Sequence, residues 1–362
     1  MVKNAYVHIP FCKQKCKYCS FTSFCNLNDI DLYTTKLKEE INHYYKNEQL
    51  ETLYFGGGTP SLLSIGQLKL LIDLFNTTPQ TEITIEINPE SANVDYLKNL
   101  KSIGINRLSF GCQTFDNEIL KHIGRIHNSN DVINSVKTAQ SIGFDNINLD
   151  FIYGLPNQSI ESFGNDLEKA ISLKIQHISL YGLKIEEGCA FYNNLPENLA
   201  DDDLQADMYT LACEIMKKNG FEQYEISNFS LPEKFSHHNL NYWDNNSYYG
   251  FGVSSHGYVN KIRYSNNCNM QKYITDPKKH SQEHKVTTRE ALEEEFFLGL
   301  RKNDGIDTSL ISEKFKINIE EKYAKIFEKH TQNKLLIKTQ NGYALTHSGK
   351  LLSNLVLSDF IG

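Results

Sequence analysis

The sequence repeats one pattern six times: a short run rich in β-branched and aromatic residues, followed by a stretch with helical spacing. The strand-like runs are NAYVHIPF, LETLYFGGG, EITIEINP, RLSFGCQ, NINLDFIYG and HISLYGLKI. Segments such as DLYTTKLKEEINHYY and QLKLLIDLF lie between them, and Ser64 with Gln67 predicts a capping box at the start of the second. Strands that alternate with helices pair in parallel through crossover connections. Six such units predict an α/β fold, an incomplete (β/α)6 TIM-like barrel; a doubly wound open sheet is the competing architecture. The barrel is favoured by where the unusual residues fall, because barrels place functional groups at the C-terminal ends of their strands. Cysteines follow the first run, GGGTP the second, Glu86 lies in the third and Gln113 ends the fourth.

From about Asp201 the texture changes. An acidic helix start, DDDLQADMYTLACEIMKKNGF, precedes EQYEISNFS and a polar, aromatic, Asn-rich stretch that reads as irregular to about His284. From about Thr287 the pattern is two helices and then LLIKTQNGYALT, where Asn341-Gly342 between apolar runs predicts a hairpin. Helices followed by a hairpin resemble a winged helix. The expected division is therefore a partial barrel over 1–225, a connecting region over 226–285 and a smaller C-terminal helical, winged-helix-like domain over 286–362. A chain of 362 residues that is 40% hydrophobic can bury cores of this size. A winged helix invites a DNA-binding role, but residues 287–362 carry eleven Lys and Arg against eleven Asp and Glu, and the whole chain has a net charge of −7. No basic footprint exists, so nucleic acid is not an expected partner. No apolar run approaches the roughly 20 residues that span a bilayer. The start MVKNAYVHIPF shows neither a secretory apolar core nor a cleavage site, so the expected location is the cytoplasm.

Three of the eight cysteines, Cys12, Cys16 and Cys19, fall within one eight-residue stretch. In a reducing compartment such crowding points to metal rather than disulfide. Three thiolates are one short of a structural zinc site, and neither Cys25 nor His8 has customary spacing for the fourth ligand. A four-iron cluster on three cysteines keeps one iron open, which is where substrate chemistry happens. The remaining cysteines are scattered and read mostly as core residues. Gly56-Gly57-Gly58-Thr59-Pro60 follows an apolar strand, and backbone without side chains lets a ligand approach main-chain carbonyls. A phosphate loop of the GxxxxGK[ST] type is absent. Glu86 lies on an inward-facing strand, where a carboxylate needs a partner such as ribose hydroxyls or an ion pair with Arg107 or Arg125.

With Tyr18 as the aromatic before the third cysteine, this spacing resembles the radical S-adenosylmethionine superfamily. YVHIPFC, GGGTPS, LSFGCQTF, NLDFIYGLP, HHNLNYW and FFLGLR together resemble its anaerobic coproporphyrinogen oxidase family over essentially the whole chain. The resemblance implies a [4Fe–4S] cluster on Cys12, Cys16 and Cys19. It also implies S-adenosylmethionine beside it, with Gly57, Gly58 and Thr59 at the methionine end and Glu86, Gln113, Arg125 and Asp150 as further contacts. Tyr6 and Tyr18 complete that expected set.

Two branches of the family are open: an oxidative decarboxylase of a porphyrin precursor and a haem chaperone. The decarboxylases resemble one another in a further cysteine two residues after the third ligand, where this chain has Phe21, and in a longer segment before the cluster strand. His238-Asn239-Leu240-Asn241-Tyr242-Trp243 matches the HNxxYW motif of the chaperone branch, which implies haem as a ligand of His238. A neutral imidazole is a common haem iron ligand and flanking aromatics can cover a macrocycle, although read alone the stretch is a polar loop anchored by Trp243. Adjacent His237 could also reach iron, and His256 reads as either a second contact or a structural histidine. Val253-Ser254-Ser255 departs from the family's Pro-Gly-Ala. The chaperone branch implies a haem-acceptor protein as partner, which would bring the chain to a membrane periphery. A homodimer would leave no mark in the sequence.

Overall fold

The computed structural model describes residues 1–362. The six strand-like runs form β1 (Asn4–Ile9), β2 (Thr52–Gly57), β3 (Glu82–Ile87), β4 (Arg107–Gln113), β5 (Ile147–Tyr153) and β6 (His177–Gly182). All six are parallel and lie side by side in sequence order. Three short strands extend the sheet: β7 (Glu222–Gln223), β8 (Asn228–Ser230), which runs antiparallel to β6, and β9 (Tyr249–Phe251), which joins β1 in parallel. The order β7-β8-β6-β5-β4-β3-β2-β1-β9 leaves β7 and β9 unpaired with each other, so the barrel is open.

Strict alternation decides which way each strand faces. Val7 and Ile9, Leu53 and Phe55, Ile83 and Ile85, Leu108 and Phe110, Leu149 and Phe151, and Ile178 and Leu180 all belong to one apolar core of 50 buried residues. The helices Ile30–Tyr44, Ile65–Ile72, Val94–Ser102, Ser129–Ile142 and Ile160–Ser172 cover that face with Leu37, Leu68, Leu100, Val136 and Leu167. The Ser64–Gln67 capping box forms as expected. The intervening positions point the other way and are polar: Asn4, Thr52, Glu82, Arg107, Asn148 and His177 begin or nearly begin their strands and are buried. The barrel's outer face is therefore its apolar core, and its lumen is polar.

The stretch expected to be irregular is built. HHNLNYW is a helix, His237–Trp243, rather than a loop. Seven residues are too few for helical periodicity to show in the sequence. It is capped by Ser236, whose Oγ accepts the Asn239 amide. The Glu82 carboxylate accepts the amides of His237 and His238 at 3.2 and 3.1 Å, where it also complements the positive end of the helix. Asn4, Thr52 and Glu82 are the first residues of β1, β2 and β3, so this helix closes the N-terminal end of the barrel. A second small sheet, β10 (His256–Val259), β11 (Ile262–Ser265) and β12 (Gln282–Lys285), follows.

The helices and hairpin read at the C-terminus are present, with β13 (Ile306–Asp307), β14 (Leu336–Lys338) and β15 (Gly342–Leu345) in the order β13-β15-β14. They enclose a separate core in which Phe327 stacks on Tyr343 and Phe296 on Phe360. This unit meets the barrel along β7 and the closing helix, through Asn303 N–H to the Tyr224 carbonyl, Lys350 to Gln223 and the Lys302–Asp244 ion pair.

The contact that seats the closing helix is a directional chain. Asn4 Nδ2 donates to Asn241 Oδ1, Thr52 Oγ1 donates to Asn4 Oδ1 at 2.8 Å, and Thr52 Oγ1 lies 2.7 Å from His238 Nδ1. Since the one Thr52 proton goes to Asn4, His238 Nδ1 is the donor, and its Nε2 accepts from Tyr242 at 2.9 Å. Replacing Thr52 with isosteric valine strands two buried polar groups. Thr52→Val is expected to lower unfolding stability by about 1–3 kcal/mol, as measured by urea denaturation.

Candidate functional site

A cleft of about 440 Å³ opens at the C-terminal ends of the strands and runs into the lumen, a size suited to a small-molecule ligand. Cys12, Cys16 and Cys19 lie at its mouth on the loop after β1, each partly exposed and free of any disulfide. The loop is pinned on both sides: Cys12 N–H donates to the Phe24 carbonyl, Lys17 N–H to the Ile123 carbonyl at 2.9 Å, and Gln14 Nε2 to the Gly124 carbonyl at 3.0 Å. Burial pushes the Cys12 and Cys19 thiols up. No group of three His, Cys, Asp or Glu side chains closes on a single ion position. A four-iron cluster asks for something else, one thiolate for each of three irons, and three free thiols facing one cleft suit it.

The second strand ends against this loop, and its glycines are required by contact. A Cβ on Gly58 would sit 2.7 Å from the Phe11 carbonyl and 3.0 Å from Cys12 Sγ. Gly57 has φ +120°, and a Cβ there would meet the His8 ring at 2.6 Å. Thr59 reaches Cys12 Sγ at 3.7 Å and accepts from Asn88 at 3.1 Å. Arg125 ties these parts together: its Nη2 donates to Asn88 Oδ1 at 2.8 Å and to the Gly111 carbonyl at 2.9 Å, while Nη1 points to Cys16 Sγ at 3.6 Å. Gln113 ends β4 with φ +67°, next to a one-residue register shift against β5, and lines the cleft.

Deeper in the lumen are two carboxylates. Glu86 accepts the Tyr54 hydroxyl at 2.9 Å and the Gly57 amide at 3.0 Å. Neither of the ion pairs considered from the sequence forms. Asp150 accepts from Ser109 at 3.1 Å and from Asn148 at 2.7 Å. Burial first, and the Asp150 charge second, raise the Glu86 pKa to about 7; burial also raises Asp150. With only neutral donors, both carboxylates keep lone pairs for ligand hydroxyl or amino groups. Arg107 lines the same space; it is 1% exposed and its Nε has no hydrogen-bond partner.

The structure thus gathers Cys12, Cys16, Cys19, Tyr18, Gly57, Gly58, Thr59, Glu86, Gln113, Arg125 and Asp150 around one cleft. Two expected residues are elsewhere. Tyr6 does not line the cleft; its hydroxyl bonds His8 Nδ1 at 2.9 Å and its ring stacks on Tyr54. His238 is 1% exposed, outside the cleft lining, with both ring nitrogens hydrogen-bonded and its pKa pushed down to about 3 by burial with Arg107 nearby. In this arrangement His238 is a buried residue of the closing helix, with neither ring nitrogen free. His237 and His256 are exposed and also lie outside the cleft. Tyr54, Asn88, Arg107 and Asn239 border the cleft without having been singled out as site residues, and only the alternation of polar residues along the strands could have marked the first and third. Where Val253-Ser254-Ser255 departs from the family pattern, Ser254 adopts φ +60°, the conformation a glycine would favour, and its hydroxyl accepts from Thr22 of the cysteine loop at 3.0 Å.

Residues 6–170 match the radical SAM superfamily and residues 286–352 the HemN C-terminal domain. The chain is 38% identical to the heme chaperone HemW of Bacillus subtilis over 100% of both proteins. It is 38% identical to HemW of Lactococcus lactis over 99% of this chain and 97% of that protein. HemW of Escherichia coli is 37% identical over 71% of this chain and 70% of its own length. The structure of coproporphyrinogen III oxidase (HemN) from Escherichia coli superposes with a TM-score of 0.88, covering 99% of this chain and 90% of that one at 23% identity, which shows a shared fold.

Folding raises the Glu86 pKa, so the protein without ligand gains its Glu86-linked stability below pH 4.5 and loses it as the pH rises through about 7. Glu86→Gln removes that titration. Thermal midpoints recorded across this window are expected to fall more steeply in the wild type than in the variant.

Proposed function

The chain belongs to the HemW family of radical SAM proteins, and from that premise we propose that it carries haem to an acceptor protein, holding a [4Fe–4S] cluster on Cys12, Cys16 and Cys19 and S-adenosylmethionine in the adjoining cleft. End-to-end similarity to haem chaperones carries this reading. The cleft supports the cofactor half of it: three free thiols at the mouth, glycine backbone beside them and two carboxylates below. When bound, the cluster supplies one electron and an open iron to S-adenosylmethionine. This chain's own residues do the rest. Arg125 holds Asn88 and the Gly111 carbonyl in place while facing Cys16, Gly57 and Gly58 admit the methionine end, and Glu86 offers its remaining lone pairs to the ribose.

A decarboxylase role is disfavoured by Phe21, which stands 69% exposed at the cleft mouth where those enzymes resemble one another in a cysteine. The acceptor is proposed to be a protein at or near a membrane; no helix of this chain is long and apolar enough to cross one.

Haem coordination by His238 requires the helix His237–Trp243 to leave its seat. Undocking breaks the Thr52 bond to Nδ1 but carries Tyr242 along, since Tyr242 lies on the same helix four residues on. Coordination through Nδ1 would require the ring proton to move from Nδ1 to Nε2, from which the Tyr242 hydroxyl would accept it in the outer-shell hydrogen bond that ligating histidines generally make.

Two measurements test the proposal. Cys16→Ser is expected to abolish cluster assembly, read as iron content after anaerobic reconstitution; full iron and an unchanged spectrum would remove the cluster from the account. Haem titrated into reconstituted protein is expected to give a stoichiometric Soret change in the wild type. The change should be lost in His238→Ala and kept in Thr52→Val, which breaks the same hydrogen bond but leaves the imidazole. Wild-type-like binding by His238→Ala would move the ligand to another histidine, with His237 next; no binding by the wild type would end the chaperone reading.

A further inference from the structure

Tyr54 stands between two groups that the foregoing reading assigns to different ligands. Its ring stacks on His238, with centroids 5.0 Å apart and planes at 27°. Its hydroxyl donates to Glu86 Oε1 at 2.9 Å. The ring lines the cleft, and so does Asn239, the residue after His238. The nest around it has no slack: a Cβ on Gly56 would lie 2.9 Å from the rings of both Tyr54 and Tyr6 and 3.0 Å from Glu86 Oε1. Tyr6 stacks against Tyr54 at 6.0 Å and also meets the His238 ring at 6.4 Å. In so close a packing the Tyr54 ring has little room to shift without disturbing His238 or Tyr6.

We propose that Tyr54 is a positioning residue that couples the cofactor cleft to the helix His237–Trp243, so that occupancy at Glu86 changes how firmly that helix is seated. This rests on the reading that the cleft takes S-adenosylmethionine with its ribose at Glu86. A ribose hydroxyl donating to the lone pairs Glu86 has left draws the carboxylate toward itself, and Tyr54 must turn with Oε1 or lose its bond to it. Turning moves the ring on which His238 rests. By linkage, release of the helix changes cofactor affinity by the same factor as cofactor changes helix release. The cofactor would then act on haem loading through contact, with no bond cleavage required.

Trp243, the only tryptophan, ends the same helix and packs under the Arg301 guanidinium at 5.2 Å, so its emission reports the helix without haem. Cluster-loaded protein is titrated with S-adenosylmethionine while binding heat and Trp243 emission are recorded together. In the wild type the emission is expected to move in step with the heat. In Tyr54→Phe, which keeps the ring and loses only the hydroxyl, the heat is expected to remain and the emission to stay flat. Haem affinity, read from the Soret band, is expected to change about five-fold or more on saturation of the wild type and not to change in the variant. Binding heat with flat emission in the wild type overturns the coupling, and an unchanged emission response in Tyr54→Phe overturns the assignment to Tyr54. A folded Tyr54→Phe that has lost all binding also overturns it, because Tyr54 would then hold the cofactor itself. Absence of binding heat in the wild type is the separate signature of a failed cofactor reading.

Discussion

A polar lumen inside an apolar shell is the constraint from which the rest of this structure follows. The six parallel strands send their aliphatic and aromatic residues outward to the helices and their Asn, Thr, Glu, Arg and His residues inward. An apolar barrel interior can be packed shut, whereas a polar one has to be hydrogen-bonded shut, because each unpartnered buried group costs about 1–3 kcal/mol. At the N-terminal end the helix His237–Trp243 supplies those bonds: Glu82 holds its first amides, Asn4 reaches Asn241 and Thr52 meets His238. Toward the C-terminal end Glu86 and Asp150 are held by neutral donors alone and keep lone pairs that no protein group fills. The cleft lies where protein partners for the lumen run out.

Binding groups and supporting groups in that cleft divide by strand depth. Near the strand ends are the thiols, the glycine turn and Arg125, whose hydrogen bonds join the loops after three strands. Lower down, Glu86 and Asp150 are buried among neutral donors that orient them without neutralising them. Lower still, His238 is a structural member of the floor.

Much of this was legible before any coordinates. The six strands, the Ser64 cap and the Asn341-Gly342 hairpin are local signals, set by side-chain period and turn chemistry. The cysteine loop, Gly57, Gly58, Thr59 and Glu86 stood out by motif and position, Gln113, Arg125 and Asp150 were assigned to the site only through the family resemblance, and all of them line a single cleft. The closing helix was not legible, since it is held by a carboxylate 155 residues away rather than by its own periodicity. Tyr54 escaped notice because it is only one polar residue in an alternating strand, and Arg107 was considered only as an ion-pair partner for Glu86.

The sequence by itself determined the alternation of strands and helices, the alternation of polar and apolar positions within each strand, and the spacing of three thiols on one loop. These are properties of neighbours along the chain, where covalent geometry fixes period and reach. Only the tertiary structure decided that the polar positions share a lumen, that the HNxxYW segment is a helix sealing it, and that His238 faces Thr52, Tyr54 and Tyr242 rather than solvent. Those outcomes depend on residues far apart in sequence competing to satisfy the same buried hydrogen-bonding groups, and that competition is settled only when the barrel is assembled.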